Sequence, residues 1–202
     1  FTASLFVCSL LLMGQGCLST GKEEPKTSGP AGIFVSLDRA ESWQPISSFP
    51  TLEGVLNLAD VGVNKLVSDP HNDKTQYWLS RKRGLFITHN NGKSWYQEDN
   101  ALSSGFVYSL AIHPKEPCTL YAVKRTALYQ SVDCARSWTL VYNEETGDKL
   151  KSVVIDSGFP HNIFLATEKG RVFISEDTGI SWQTAQRFRS AKLVGLHADP
   201  ST

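Results

Sequence analysis

The sequence predicts an all-β protein, a β-propeller of four-stranded blades, and three observations carry that prediction. The first is an octapeptide box, S/T-x-D/N-x-G/A-x-S-W, which recurs as Ser36–Trp43, Thr88–Trp95, Ser131–Trp138 and Ser175–Trp182. Its tryptophans lie 52, 43 and 44 residues apart and make up four of the five in the chain. The second is an apolar strand that closes on Asp69, His113, Asp156 and Asp199, in steps of 44, 43 and 43 residues. A repeat in the low forties with several short strands per unit is the signature of a propeller blade. The third is composition: 41% apolar residues, enough to build a core, with no long helix-period segment. The 20 basic and 20 acidic residues are spread along the chain, with no basic stripe, which argues against nucleic acid as a partner.

Taken in order, residues 1–16 open with the apolar run Phe1–Met13, which has the size of a signal-peptide core and is short for a bilayer span. They are expected to be a signal peptide. Gly14-Gln15-Gly16-Cys17 is similar to a bacterial lipobox, with Gly14 where Leu, Val or Ile is usual, so Cys17 is the expected lipidation site. A plain secretory signal with an incidental Cys17 is the alternative. Residues 17–31 are rich in Ser, Thr, Gly, Pro and charge and read as a flexible tether. The expected location is the bacterial cell envelope, reached by export and held by a lipid anchor.

Residues 32–202 are expected to be a partial propeller, a fragment with three full blades at 63–100, 105–145 and 149–187. A half-blade at 32–48 precedes them, an insertion spans Thr51–Gly62, and the first strand of a further blade follows at Val194–Asp199. With strands named A to D, the second blade reads Val107–Ile112, Thr119–Lys124, Ala127–Ser131 and a strand from Trp138. Three blades leave open edges, which invite aggregation. The full-length protein is therefore expected to close a ring and to be a monomer.

The box makes the C–D turn. Ser36, Asp38 and Trp43, Thr88, Asn90, Gly92 and Trp95, Ser131, Asp133 and Trp138, and Ser175, Asp177, Gly179 and Trp182 are read as structural. The Asp or Asn accepts hydrogen bonds from its own turn, the glycine supplies positive φ, and the Trp folds back as an apolar plug. Ala40 and Ala135 replace glycine in two boxes, so those turns are expected to be looser or to have negative φ. Cys118 and Cys134 flank strands B and C of the second blade. A hairpin centred on Thr126 places them opposite each other, and an exported protein can keep the disulfide that would form. Two free thiols are the alternative if the register is off by one.

The box resembles the Asp-box, or BNR, repeat of sialidases, xyloglucanase-type glycoside hydrolases, sortilin-type receptors and the propeller that helps assemble photosystem II. The resemblance covers residues 32–200 and implies the fold; these families share the repeat and little chemistry. The arginine-introducing F/Y-R-I-P motif of sialidases is absent here. Arg81, Arg83, Arg125 and Arg171 fall at B–C turns, where solvated turn charge is the favoured reading. The alternative is that Arg83, Arg125 and Arg171 recur at equivalent positions and form a cationic rim for an anionic ligand. Xyloglucanase-type enzymes use two aspartates, for which Asp60 and Asp156 are the only candidates, and Asp156 is read first as a turn residue. His71, His89, His113, His161 and His197 lack metal-ligand spacing, so no metal or other cofactor is expected. The resulting expectation is a non-catalytic envelope propeller that binds a protein or glycan. The alternative is a glycoside hydrolase working by paired carboxylates.

Overall fold

The structure, a computed structural model, describes residues 32–198. The signal segment 1–16, Cys17, the tether at 17–31 and Asp199 lie outside the described residues. Every regular element among those described is a strand. Two hairpins come first: β1 (Phe34–Val35) with β2 (Gln44–Pro45), and β3 (Ser48–Thr51) with β4 (Gly54–Asn57). The first blade is β5 (Val63–Asp69), β6 (Asn72–Ser80) and β7 (Leu85–Thr88). The second is β8 (Val107–Ile112), β9 (Leu120–Lys124), β10 (Ala127–Ser131) and β11 (Thr139–Asn143). The third is β12 (Leu150–Ile155), β13 (Ile163–Thr167), β14 (Arg171–Ser175) and β15 (Gln183–Arg187). The strands of each blade pair as antiparallel meanders, with strand A on the inside, and one isolated parallel bridge joins Arg83 to Gly105.

Period-two alternation sorts each strand between two interfaces. Tyr77 and Leu79 of β6 face the second blade, joining Leu110, Leu120 and Ala122. Trp78 of the same strand faces back toward Leu58, Phe86 and Trp95. Tyr121 and Val123 of β9 turn to the third blade and meet Val153, Ile163 and Leu165. The core is thus a series of layers between blades. Inner strands are stitched at the repeat period by side chains. Asn64 Nδ2 donates to Val107 O at 2.9 Å, and Ser109 Oγ donates to Val153 O at 3.4 Å.

Two expectations for the strands are corrected. The first blade has three strands, not four, because its fourth position makes only the bridge between Ile87 and Tyr96. There the Gln97 side-chain amide donates to Arg83 O and Leu85 O, taking carbonyls at the edge where a backbone ladder would run. Val194–Ala198 is not a strand. Strand A pairs with the strand that follows it in each blade, and among the described residues none follows; only Ser152 Oγ reaches Leu196 O, at 3.5 Å.

The four boxes share one hydrogen-bond pattern. The first hydroxyl donates to the Asp or Asn Oδ1 at 2.7–2.8 Å, and Oδ1 accepts the backbone N–H of the Ser before Trp at 2.8–3.0 Å. Ala40 and Ala135 take the same left-handed turn as Gly92 and Gly179, with φ of 73° and 69° against 78° and 93°. The expectation of looser or negative-φ turns is therefore wrong. The side-chain bonds are strong enough to hold an alanine where glycine is favoured. The plug also differs between boxes. Trp95 is fully buried and Trp138 and Trp182 are half-buried, whereas Trp43 is 59% exposed. Each buried Trp wedges against the preceding unit, and among the described residues none precedes Trp43.

Hydrogen bonds from Ser42, Ser137 and Ser181 hold the carboxyls of Asp38, Asp133 and Asp177 down at about 2, against an ordinary 3.8. With folded values below the unfolded one, their stabilisation is complete above a pH of about 4 and is lost as pH falls through about 2. Acid unfolding followed by tryptophan fluorescence is therefore expected to set in between those limits. Replacing all three with Asn, the residue already at position 90, should flatten the curve; an unchanged curve would assign the acid sensitivity elsewhere.

Cys118 and Cys134 are disulfide-bonded. The ladder, however, runs one residue out of symmetry about Thr126: Ser131 faces Leu120, where that symmetry would put Tyr121. The reason is a two-residue loop, Arg125-Thr126, with Arg125 at φ 60°. What brings the cysteines together is the docking of the box on the A–B turn. Cys134 N donates to Cys118 O, as Asn91 N does to Lys74 O and Thr178 N to His161 O in the other blades.

Candidate functional site

Antiparallel meanders put A–B turns and boxes at one end of the blades and B–C turns with D–A loops at the other. The box end is committed to the fold. Asp156 Oδ1 accepts the N–H groups of Gly158 and Phe159 at 2.8 and 3.0 Å, capping its own turn. His113 Nδ1 does the same for Lys115 and Glu116, at 3.2 and 3.0 Å, so the imidazole stands in for the Asp of the other blades. His71 Nε2 bonds His113 O, and His89 lies between Thr75 and Tyr96. Among the described residues no three His, Cys, Asp or Glu side chains are grouped as metal ligands.

The B–C end holds all of the predicted arginines, but not as an equivalent set. Counted back from the first residue of each box, Arg83 is five positions away, Arg125 six and Arg171 four. The register places them differently in their turns and gives them different jobs. Arg171, the first residue of β14, lies inside the junction of the second and third blades. Its Nη2 is 2.9 Å from Glu144 Oε1 and 3.5 Å from Asp148 Oδ2, and those carboxylates are only 3% and 1% exposed. Burial raises the Glu144 carboxyl, but hydrogen bonds from Thr146 and Arg171 outweigh it and hold the group below its ordinary value. Burial works against the Arg171 charge too, yet Glu144 and Asp148 raise its pKa above the ordinary value. This arginine is a clamp, not part of a free rim.

Position six is the one that repeats, and it carries a cation in every blade: Lys82, Arg125 and Lys169, all exposed. Sequence reasoning chose by residue type and missed Lys82 and Lys169; alignment on the box would have found them. Arg81 and Arg83 flank Lys82, and Lys124 precedes Arg125. Arg83 Nη1 is 3.9 Å from Asp60 Oδ1, which gives Asp60 a partner on this face. Aromatic surface is present as well. Each inner strand is bulged at its second residue, Asn64, Tyr108 and Lys151, at the B–C end. Lys151 Nζ lies 4.7 Å from the centroid of the Tyr108 ring, which stacks on Phe106 at 4.2 Å. This end therefore offers fixed turns, repeated cations and an aromatic step.

Blades of antiparallel strands, packed in series with inner strands side by side, define a β-propeller protein. Comparison with known proteins agrees with that class. No family model matches the chain. The oligoxyloglucan reducing-end-specific xyloglucanase of Emericella nidulans is 32% identical over 66 residues, which is 32% of this chain and 8% of that protein. An ancestral GH74 enzyme is 25% identical with a TM-score of 0.57, over 65% of this chain and 19% of its own. A GH74 enzyme from Niastella koreensis is 17% identical with a TM-score of 0.62, over 82% and 28%. An auxiliary nutrient binding protein from Bacteroides thetaiotaomicron is 13% identical with a TM-score of 0.56, over 69% and 34%. The chain thus spans a third or less of the length of most of these proteins.

Proposed function

We propose that this is a non-catalytic Asp-box propeller of the cell envelope, whose B–C end holds an anionic protein or glycan. The single observation that carries the reading is the row of exposed cations Lys82, Arg125 and Lys169, one at the B–C turn of each blade. The carboxylates support it from the other side. Asp156 caps a turn, Glu144 and Asp148 neutralise Arg171, and Asp60 sits beside Arg83. Each is thus engaged by its own turn or by a neighbouring arginine, whereas acid–base hydrolysis of a glycoside needs two carboxylates flanking the scissile bond. In this reading residues 1–16 direct export, Cys17 carries the lipid, and the tether lets the propeller stand off the membrane.

A second reading, a glycoside hydrolase, is favoured by the 66-residue likeness to the xyloglucanase. One set of measurements on the full chain separates the two. Binding to immobilised polyglutamate or polygalacturonate is expected, weakened at least tenfold by joint replacement of Lys82, Arg125 and Lys169 with Glu. Xyloglucan oligosaccharides are expected to remain intact, and mass spectrometry is expected to find acylated Cys17 as the first residue. Unchanged binding by the triple variant would sink the first reading. Xyloglucan cleavage abolished by Asp60→Asn or Asp156→Asn would install the second.

A further inference from the structure

At the B–C end of the first blade a cleft of about 360 Å³ opens between Asp60–Gly62 and Arg81–Arg83. The backbone beneath the cations is fixed. Arg83 N donates to Ser80 Oγ at 2.7 Å, Gly105 N to Lys82 O at 2.8 Å, and Arg81 N to Gly62 O at 3.0 Å. Gly84 closes the turn at φ +75°, and a Cβ there would lie 2.0 Å from Leu102 O, so no other residue could follow the same path. The Arg81 side chain packs over Gly62, where an added Cβ would be 3.6 Å from Arg81 Cδ, and its Nε donates to Val63 O at 3.3 Å. The charged ends are the adaptable part. Arg83 and Asp60 are 47% and 78% exposed and meet only at 3.9 Å, a weak pair that a ligand can enter without stranding a buried charge.

We propose that this cleft binds an acidic sugar, a uronate unit of a glycan; the inference rests on the binding role assigned to this end of the blades. A plain anion would meet the Asp60 carboxylate along with the cations. A neutral sugar would offer the arginines only uncharged hydroxyl acceptors, with no charge to answer theirs. A uronate answers both, because its carboxylate accepts the planar forks of Arg81 and Arg83 while its ring hydroxyls donate to Asp60. The cleft has the volume of a small-ligand pocket. Because the turn is already held by its backbone bonds, binding orders only exposed side chains. An amino-acid zwitterion is the other small molecule with both kinds of group, and the test includes it.

The test is calorimetric titration of the full chain with trigalacturonate, galactotriose, glycine and inorganic phosphate. Trigalacturonate is expected to bind at least tenfold tighter than galactotriose or glycine, and Arg83→Ala to weaken it at least tenfold. Asp60→Asn is expected to weaken trigalacturonate while strengthening phosphate, an opposition that a plain anion site cannot give. Both side chains are exposed, and an unchanged melting temperature keeps the comparison clean. Strengthening of both ligands by Asp60→Asn, or tighter binding of glycine, overturns the proposal. Absence of trigalacturonate binding also overturns it. Should polyglutamate binding through Lys82, Arg125 and Lys169 then persist, the broader reading stands without this subsite.

Discussion

Arg171→Met is expected to destabilise the protein by about 3–5 kcal/mol, because it removes the cation that pairs with both carboxylates of a buried junction. Glu144 and Asp148 are 3% and 1% exposed, and Arg171 is the ion-pair partner of both among the described residues. Methionine keeps most of the side-chain volume, so the loss reports charge more than packing. Without their cation the two poorly exposed carboxylates keep the hydrogen bonds from Thr146 and the Lys169 N–H, but their charge goes uncompensated. The sign of the pH dependence follows. In the native protein Glu144 has a depressed folded pKa, so its contribution is present above the ordinary carboxylate range and lost as pH falls. In the variant the Thr146 hydrogen bonds remain but the pull of Arg171 is gone, so the depression of the Glu144 pKa shrinks and less stability is lost there as pH falls. The gap between the two proteins in urea unfolding should therefore be widest near neutral pH and shrink toward pH 4. Adding Glu144→Gln and Asp148→Asn to the variant should restore part of the loss. A gap independent of pH would mean that Arg171 acts through packing.

The blade order was legible because two signals with the same period were written in residue types that only a turn or a strand end explains. The box Asp and the strand-closing Asp, His or Asp each satisfy local backbone donors, so local sequence is enough to locate them. Legibility ended where a partner lies far along the chain. Nothing near Trp43 or Trp95 says which will be covered, since the cover is another unit. Glu144 and Asp148 look like solvated charges of a D–A loop until Arg171 of the next blade is placed between them. The half-lost fourth strand of the first blade depends on the Gln97 amide, whose competition with a ladder has no signature in the sequence. The disulfide illustrates the middle case. Its two residues were found with a hairpin register one residue off, because the docking of the box on the A–B turn brings them together.

Trp95→Ala and Trp43→Ala make the same change at the same box position, yet the first is expected to cost about 3–5 kcal/mol and the second less than about 1 kcal/mol. Trp95 is fully buried, packs edge-on against Trp78 at 5.4 Å between ring centroids, and donates its Nε1 to Ile46 O at 2.6 Å. Truncation removes that bond, leaves the Ile46 carbonyl without it, and opens a cavity between the N-terminal hairpins and the first blade. The surrounding strands are held by their own ladders and can relax only partly, so the cavity persists. Trp43 is 59% exposed and leaves no such void. For a domain of this size each kcal/mol lowers the melting temperature by roughly 2–4 °C, so Trp95→Ala should melt about 10 °C early while Trp43→Ala stays near the parent. Equal losses in the two variants would show that the box Trp stabilises its own turn and owes nothing to the neighbouring unit. Loss confined to Trp95 places its contribution between units, where no single repeat can supply it.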